Sequence, residues 1–205
     1  PVVRFEPSSK PLELKIGFSF VSVEGAKANL EAEMLGKSFA QVKKEGNAVW
    51  NELLGKIQVE GGTETQKNLF YTTMYRSMLW PALRSDVDGT FKDPKGEVRN
   101  EGFHYYTEPS FWDDYRNKLV LLGMLSPKVA NDVISSCLVM GEANHGFMPT
   151  FFHGDHASVF VTGSYLRGLR DYDVQKAYAM MLKNATVEGP SRPYLQEYID
   201  KGYIS

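Results

Sequence analysis

SPKVANDVISSCLVMG, residues 126–141, has the pattern of a buried α-helix with both of its ends marked. Ser126 is a typical N-cap residue, and Pro127 suits the first helical position because an N–H there would be unpaired in any case. Gly141 is the kind of residue that ends a helix. Between these ends the apolar residues recur at helical spacing: Ala130, Val133, Ile134, Cys137 and Leu138. The pattern therefore predicts a helix that packs into a core.

Similar signals on both sides of this helix predict a mainly α-helical fold. Pairs that suit a capping box begin two further helices: Ser38 with Gln41, and Thr63 with Gln66. Gly55 and Pro81 are placed to end these two helices. Apolar spacing predicts two more helices, near 157–168 and 173–184. Broadly apolar helices joined by alternately short and long loops favour packing in layers, as in an α/α toroid.

The first residues of the chain have a different pattern. Apolar and polar residues alternate from Leu12 to Phe20, and this period of two predicts a strand with one buried face. A single strand is not stable by itself. Residues 1–21 are therefore predicted to be the last strand or strands of a sheet domain whose other strands lie upstream.

Composition excludes several classes of function. The chain has 205 residues, of which 42% are hydrophobic, and its net charge is −2. Such a weak charge, with the basic residues scattered, argues against nucleic acid or an anionic membrane as a partner. No apolar run is long enough to span a bilayer. The single cysteine, Cys137, cannot form an internal disulfide and lies on an apolar helix face, which favours a core position.

The hexapeptide FWDDYR, residues 111–116, is the strongest candidate for a binding site. An indole ring stacks on the apolar face of a sugar ring, while carboxylates and a guanidinium hydrogen-bond its hydroxyl groups. The candidate ligand-binding residues are Trp112, Asp113, Asp114 and Arg116. One structural alternative is a buried Trp beside an ion pair from Asp113 to Arg116. Another is that Asp113 and Asp114 lie in the first turn of a helix that Ser110 caps, where acidic residues interact favourably with the helix dipole.

A second polar cluster, His153-Gly154-Asp155-His156, combines two imidazoles with a carboxylate. Such a set can bind a metal ion, act as acid and base, or hold sugar hydroxyl groups. The structural alternative is a helix start in which Asp155 is the N-cap residue.

Two other polar segments carry weaker signals. Glu142 lies in a predicted Gly-flanked loop and is a further polar candidate. Residues 85–89, SDVDG, resemble the opening of a calcium loop but lack its later ligands. The turn residues from Asp88 to Gly96 favour a hairpin between helices instead.

Taken in order, the motifs of this chain resemble glycoside hydrolase family 92, the calcium-dependent exo-acting α-mannosidases that invert anomeric configuration. The resemblance is carried by SVEGAKANLEAE, WNELLGKIQVEGGTETQKNLFYTTMYRSMLWP, SDVDG, FWDDYRNKLVLLGMLSP, GDHASVFVTGSYLRGLRDYD and YIDKGYI. It implies the remnant of an N-terminal β-sandwich at 1–21, a helical linker at 22–60, and the first part of an (α/α)6 catalytic toroid at 61–205.

The resemblance also implies a role for the candidate residues. Trp112, Asp113, Asp114 and Arg116 are expected to line a mannose-binding subsite, with His156 in the same pocket. His153, from the second cluster, joins them because its imidazole can hold sugar hydroxyl groups. The substrate implied is a mannose-containing glycan.

Family membership further implies what this chain lacks. The general base and the Ca²⁺ ligands of the family lie in the second half of the toroid, so we expect them in the missing remainder of a longer parent chain. This chain alone is then expected to be inactive. Enzymes of this type usually act outside the cytoplasm, which predicts a periplasmic or secreted protein.

One departure from the family pattern concerns the general acid. Inverting hydrolysis needs a carboxylic acid and a carboxylate on opposite sides of the scissile bond. The family usually carries the acid glutamate in an insertion, but here Met148-Pro149 leads to Gly154 without a glutamate. Asp155 and Glu142 are the candidate substitutes.

Three alternatives to a mannosidase follow. They are a non-catalytic glycan-binding relative, a glycosidase for another sugar, and a metal-dependent hydrolase built on His153, Asp155 and His156.

Overall fold

Helices form most of the computed structural model, which describes residues 4–6, 11–150, 154–189 and 192–205. The helices found in these ranges are α1 (Val23–Met34), α2 (Phe39–Leu54), α3 (Glu64–Ser77), α4 (Phe111–Asp114), α5 (Lys118–Leu125), α6 (Pro127–Ala143), α7 (His156–Leu166), α8 (Val174–Thr186) and α9 (Leu195–Lys201). The prediction of a mainly α-helical fold is confirmed. None of these helices is both long enough and apolar enough to cross a lipid bilayer.

The predicted helix starts are largely present. Thr63 and Gln66 form a complete capping box, in which each side chain accepts from the backbone N–H of the other. Ser38 accepts from the backbone N–H of Gln41, but the Gln41 side chain bonds to Glu45 instead of returning to Ser38. Only half of that predicted box therefore forms.

The predicted end of α6 is wrong, since the helix continues past Gly141 to Ala143. Gly141 serves close packing instead. A Cβ atom at this position would lie 2.6 Å from the Sδ atom of Met180 in α8. The absence of a side chain is what lets the two helices approach each other here.

Helices α5 to α8 pack in an alternating order around one core. Helix α5 contacts α6, the next helix along the chain, and also α7, while α6 contacts α8. The buried residues between them include Phe111, Leu119, Ile134, Cys137, Met148 and Phe160. Burial raises the pKa of the Cys137 thiol, so this cysteine behaves as a core residue. Such alternation is the packing expected of part of an α/α toroid.

The predicted hairpin is formed by strands β1 (Phe91–Lys92) and β2 (Val98–Arg99), which pair antiparallel. Asp93 closes the turn by accepting hydrogen bonds at 2.9 Å from the backbone N–H groups of Lys95 and Glu97. The hairpin lies between α3 and α4, as the sequence predicts.

The segment with alternating polarity near the N-terminus pairs with no strand in the described part of the chain. Its apolar side chains are at least 55% exposed: Leu12, Leu14, Ile16, Phe18 and Phe20. Gly17 and Ser19, between the last three of them, face the protein: a Cβ atom at Gly17 would lie 2.2 Å from the carbonyl oxygen of Ala26, and Ser19 bonds to Asp86. The β-sandwich remnant and the boundaries at 21 and 60 stay predictions.

A buried polar cluster ties this segment and α1 to the loop before the hairpin. We call Ser19, Asn29 and Asp86 the Asp86 cluster. The Ser19 hydroxyl and the Asn29 amide donate to the two carboxylate oxygens of Asp86, at 2.7 and 2.8 Å. Asn29 also accepts from the backbone N–H of Val87 at 2.9 Å. Asp86 is thus a structural anchor rather than the first ligand of a calcium loop.

Candidate active site

Helix α4 divides the FWDDYR motif between the core and the surface. Phe111 is fully buried, with its ring centroid 6.3 Å from that of Phe160. Asp114 is also buried and accepts from the Lys118 ammonium group at 2.9 Å. Trp112 is 40% exposed, and Asp113 is exposed as well.

The two adjacent carboxylates therefore have different surroundings. Successive helical residues point about 100° apart, so Asp113 and Asp114 do not face the same way. Asp113 accepts from the Ser110 hydroxyl at 2.7 Å and keeps further lone pairs for a ligand. Asp114 is engaged by Lys118 inside the fold, which leaves Asp113 as the better placed of the two for a ligand.

Four side chains from two helix ends converge beside Asp113. We call Trp112, Tyr115, Arg116 and His156 the Trp112 cluster. The His156 ring stacks on Tyr115 with centroids 4.7 Å apart and planes at 12°, and its centroid lies 5.1 Å from that of Trp112. The Arg116 guanidinium lies 4.9 Å from the Tyr115 ring centroid and 5.8 Å from the Trp112 ring centroid. Residues distant in sequence thus meet at one surface.

The His156 side chain carries an unexplained polar atom. Its Nε2 is buried and has no hydrogen-bond partner among the residues that the structure describes. A buried nitrogen without a partner costs about 1–3 kcal/mol. Such atoms are rare in folded proteins, and each calls for an explanation such as a bound ligand or water.

The structural alternatives for this motif form only in part: Ser110 is the N-cap of α4, with Asp113 and Asp114 in its first turn. Asp113 and Arg116 make no ion pair with each other in the described part of the chain. Arg116 instead donates from Nε to the Tyr115 hydroxyl at 2.8 Å. Trp112, at 40% exposure, is not a buried core residue. The motif therefore presents its aromatic and cationic groups at the surface.

The second cluster is partly a helix start. Asp155 is the N-cap of α7 and accepts from both the backbone N–H and the hydroxyl group of Ser158, at 3.2 and 2.6 Å. His153 lies outside the described residues. Only His156 of this cluster is seen to join the Trp112 cluster.

The described residues do not fit a calcium or transition-metal site. No three His, Cys, Asp or Glu side chains come together in the parts of the chain that are described. Asp86 and Asp88 of the SDVDG segment bond to Ser19, Asn29 and Thr90. These carboxylates are therefore engaged within the fold rather than arranged around an ion.

Glu142 lies in the last turn of α6 and belongs to an ion network. It accepts from Arg99 of the hairpin at 2.9 Å and from Lys176 of α8 at 2.6 Å. Burial alone would raise the pKa of Glu142, but the hydrogen bonds from Lys176 and Arg99 outweigh it and hold the pKa below its usual range. A general acid needs the opposite shift.

The sequence profile of the glycosyl hydrolase family 92 catalytic domain matches residues 25–205. The chain belongs to glycosyl hydrolase family 92. No curated protein sequence matches it.

Solved structures of family 92 proteins are similar to this chain in fold. The α-mannosidase BT3965 of Bacteroides thetaiotaomicron, determined in complex with mannoimidazole, has a TM-score of 0.81 and 28% identity over 88% of this chain and 25% of its own. The inverting mannosidase BT2199 of the same organism has a TM-score of 0.81 and 26% identity over 91% of this chain and 27% of its own. This family 92 chain therefore spans about a quarter of the length of these relatives.

Sequence reasoning missed two residues of this candidate site. Tyr115 lies in the hexapeptide, but its stacking on His156 joins residues far apart in sequence and has no local signal. Lys118 is different, because its spacing of four residues from Asp114 is that of a helical ion pair. That spacing could have predicted which of the two carboxylates is engaged inside the fold.

Glu142→Gln tests whether this residue is part of the ion network or the acid of a family 92 enzyme. We expect the variant to lose about 0.5–1 kcal/mol of stability, the range for partly exposed ion pairs. Because the folded-state pKa is lowered, the stabilisation is present above the unfolded-state pKa and is lost as the pH falls through the folded value. Thermal unfolding of wild type and variant should therefore converge in acid. A pH-independent difference, or a large loss of kcat with unchanged stability, would contradict this assignment.

Proposed function

We propose that the intact protein is an exo-acting, inverting, calcium-dependent α-mannosidase and that the Trp112 cluster binds the terminal mannose. One observation carries the binding part of the proposal: in a family 92 chain, an exposed indole ring lies beside a buried imidazole whose Nε2 has no partner among the described residues. The similarity to the α-mannosidase BT3965 and the inverting mannosidase BT2199 supports the choice of sugar.

Each group of the Trp112 cluster has a distinct task in holding a sugar ring. The Trp112 indole offers an apolar face, and the Asp113 carboxylate accepts from hydroxyl groups. His156 Nε2 exchanges a hydrogen bond with one hydroxyl group, while the Tyr115 ring holds the imidazole in place by stacking. Arg116 donates to another hydroxyl group and is oriented by the Tyr115 hydroxyl.

The groups that cleave the bond are expected elsewhere in the intact protein. Inverting hydrolysis needs an acid and a base with a water molecule between them and the sugar. Asp155 and Glu142 are both engaged in structural contacts, so we propose neither of them as the general acid. The calcium dependence, the inactivity of this chain alone, and a periplasmic or secreted location rest on the family resemblance.

The decisive experiment measures sugar release by the intact protein. We expect free mannose, with inverted anomeric configuration in proton NMR, from aryl and disaccharide α-mannosides. A chelator should abolish the activity, and added Ca²⁺ should restore it. Failure to cleave any aryl α-glycoside would refute the enzymatic proposal, and cleavage of a different sugar only would refute the specificity.

A non-catalytic glycan-binding protein is the second candidate. It is favoured by the engagement of both candidate acids, Asp155 and Glu142, in structural contacts. Calorimetry with methyl α-mannoside separates the two functions. Binding that depends on Trp112, without turnover of any substrate, would support this second function.

His156→Phe isolates the contribution of the His156 Nε2 nitrogen. Phenylalanine keeps a ring that can stack on Tyr115 but has no polar atom, so the fold should be retained or slightly stabilised. We expect the affinity of the intact protein for methyl α-mannoside to fall by about 10- to 100-fold, the effect of losing one buried hydrogen bond to the ligand. His156→Asn is the control, because its amide retains hydrogen-bonding atoms. An affinity within twofold of wild type for the Phe variant would show that Nε2 does not contact the sugar.

A further inference from the structure

A separate open cavity of about 610 Å³ lies next to the segment that leads into α4. Ligand pockets for small molecules have volumes of about 300–1,000 Å³, so this one can hold a sugar unit. Its walls come from the end of the N-terminal segment, the loop after α3, the hairpin and the residues just before α4. The residues that matter for its chemistry are Phe20, Trp80, Arg84, Lys92, Glu108 and Ser110.

Glu108 is the most unusual group in the wall of this cavity. Its side chain is half-buried, and its carboxylate makes no hydrogen bond or ion pair with the described part of the chain. Burial raises the pKa of Glu108 above its usual range. A carboxyl group that is partly removed from water and has no protein partner is available for a ligand hydroxyl group.

Trp80 supplies an aromatic surface to the same cavity. Its side chain is 42% exposed, and its indole N–H donates to the backbone carbonyl of Glu108 at 3.0 Å. This bond fixes the ring to the backbone of Glu108, and both residues line the cavity. The cavity thus combines an oriented indole with an acidic group, as the Trp112 cluster does with Asp113.

The charges of the cavity favour a neutral ligand. Arg84 lies over the Phe20 ring at 3.9 Å and makes no ion pair with any described residue. Arg84 and Lys92 are balanced by Glu108 and by Asp93, which is already engaged in the hairpin turn. A cavity without a net charge does not select an anion or a cation. An aromatic surface with scattered donors and acceptors suits a polyhydroxyl ligand.

The cavity also adjoins the Trp112 cluster along the chain. Ser110 lines the cavity, and its hydroxyl group donates to Asp113 at 2.7 Å. The short segment from Glu108 to Trp112 therefore runs from one region to the other. The bond between Ser110 and Asp113 places the cavity next to one carboxylate of the candidate binding site.

We propose that this cavity is a second saccharide subsite, in which Trp80 and Glu108 bind the sugar that is linked to the terminal mannose. This inference rests on the proposed function, because it presumes that the terminal mannose binds at the Trp112 cluster. If the cavity binds this second sugar, the intact protein should bind oligosaccharides more tightly than monosaccharides.

The test compares the affinities of the intact protein for a monosaccharide and for disaccharides by calorimetry. The probes are methyl α-mannoside and thio-linked α-mannobiosides of each linkage, which are not hydrolysed. We expect the wild type to bind one thio-linked mannobioside more tightly than methyl α-mannoside. Trp80→Ala and Glu108→Ala should each lower this preference by about tenfold, the loss expected for one stacking or charge-assisted contact.

Conservative variants distinguish the loss of a sugar contact from misfolding of the protein. Trp80→Phe keeps a ring but lacks the N–H donor, and Glu108→Gln keeps a hydrogen-bonding side chain, so both should retain an intermediate preference. An unchanged preference in all four variants would overturn the second subsite. If Trp112→Ala also leaves the affinity for methyl α-mannoside unchanged, the proposed function itself fails, and the two failures are thereby distinguished.

Discussion

Trp112→Ala is expected to reduce kcat/KM of the intact protein for aryl α-mannosides by at least about 100-fold, which corresponds to about 2.7 kcal/mol. The variant removes the apolar face on which the sugar ring stacks. It also removes the ring that lies 5.1 Å from His156 and 5.8 Å from Arg116, so both polar groups lose a neighbour that limits their motion. A loss of this size therefore combines direct contact with disturbed positioning.

Two variants serve as controls for Trp112→Ala. Trp112→Phe keeps an aromatic face of smaller area and should lose about tenfold in kcat/KM, less than the alanine variant does. Trp50→Phe replaces a tryptophan that packs on Tyr75 between α2 and α3, with ring centroids 4.5 Å apart, and should leave kcat/KM within about twofold. If the three variants have equal activity, the sugar does not stack on Trp112.

Features encoded by neighbouring residues could be predicted from the sequence. The Thr63 capping box depends on residues three apart, and the hairpin depends on turn residues around Asp93. The first helical position of Pro127 follows from its missing N–H. Each of these features depends on residues that are only a few positions apart, so the local sequence is enough to predict it.

The convergence of the candidate site could not be derived from local patterns. Trp112 and His156 belong to different helices, and only the resemblance to family 92 placed them in one pocket in advance. Glu142 was a candidate acid in the sequence, but the structure places it in an ion network. Local patterns could not predict this, because its partners Arg99 and Lys176 are distant in sequence. An exposed acid and an acid held by two cations look the same in a sequence.

The strand near the N-terminus stays a prediction, and the alternation on which it rests does not say what covers each face. Alternation from Leu12 to Phe20 separates apolar from polar residues correctly, but it does not say which face meets the protein. The contacts of Ser19 and Gly17 show that the side with small and polar residues packs on α1 and Asp86. The hydrogen bond from Ser19 to the buried Asp86 carboxylate helps to hold this segment in place.

Asp86→Ala is therefore expected to loosen the junction of the N-terminal segment, α1 and the loop before the hairpin. The variant leaves the Ser19 hydroxyl without its acceptor and removes one of the two acceptors of the Asn29 amide. Hydrogen bonds to a charged group contribute about 1.5–3 kcal/mol each, and a buried donor left unpaired adds a penalty. We expect the local opening free energy to fall by about 3 kcal/mol.

Hydrogen exchange of the intact protein measures this loss where it arises. A decrease of about 3 kcal/mol corresponds to exchange roughly 100-fold faster, and it should be confined to peptides that cover Phe18 to Leu30 and the loop around Asp86. Asp88→Ala is the matched control, because the exposed carboxylate of this neighbour accepts only from Thr90 in the described part of the chain, and its loss should change exchange at the loop alone. Equal effects of the two variants, or protection of α1 unchanged in Asp86→Ala, would show that the buried carboxylate does not hold the junction. Asn29→Ala should reproduce the Asp86→Ala pattern, and the double variant should lose less than the sum of the two because both substitutions remove the same bond.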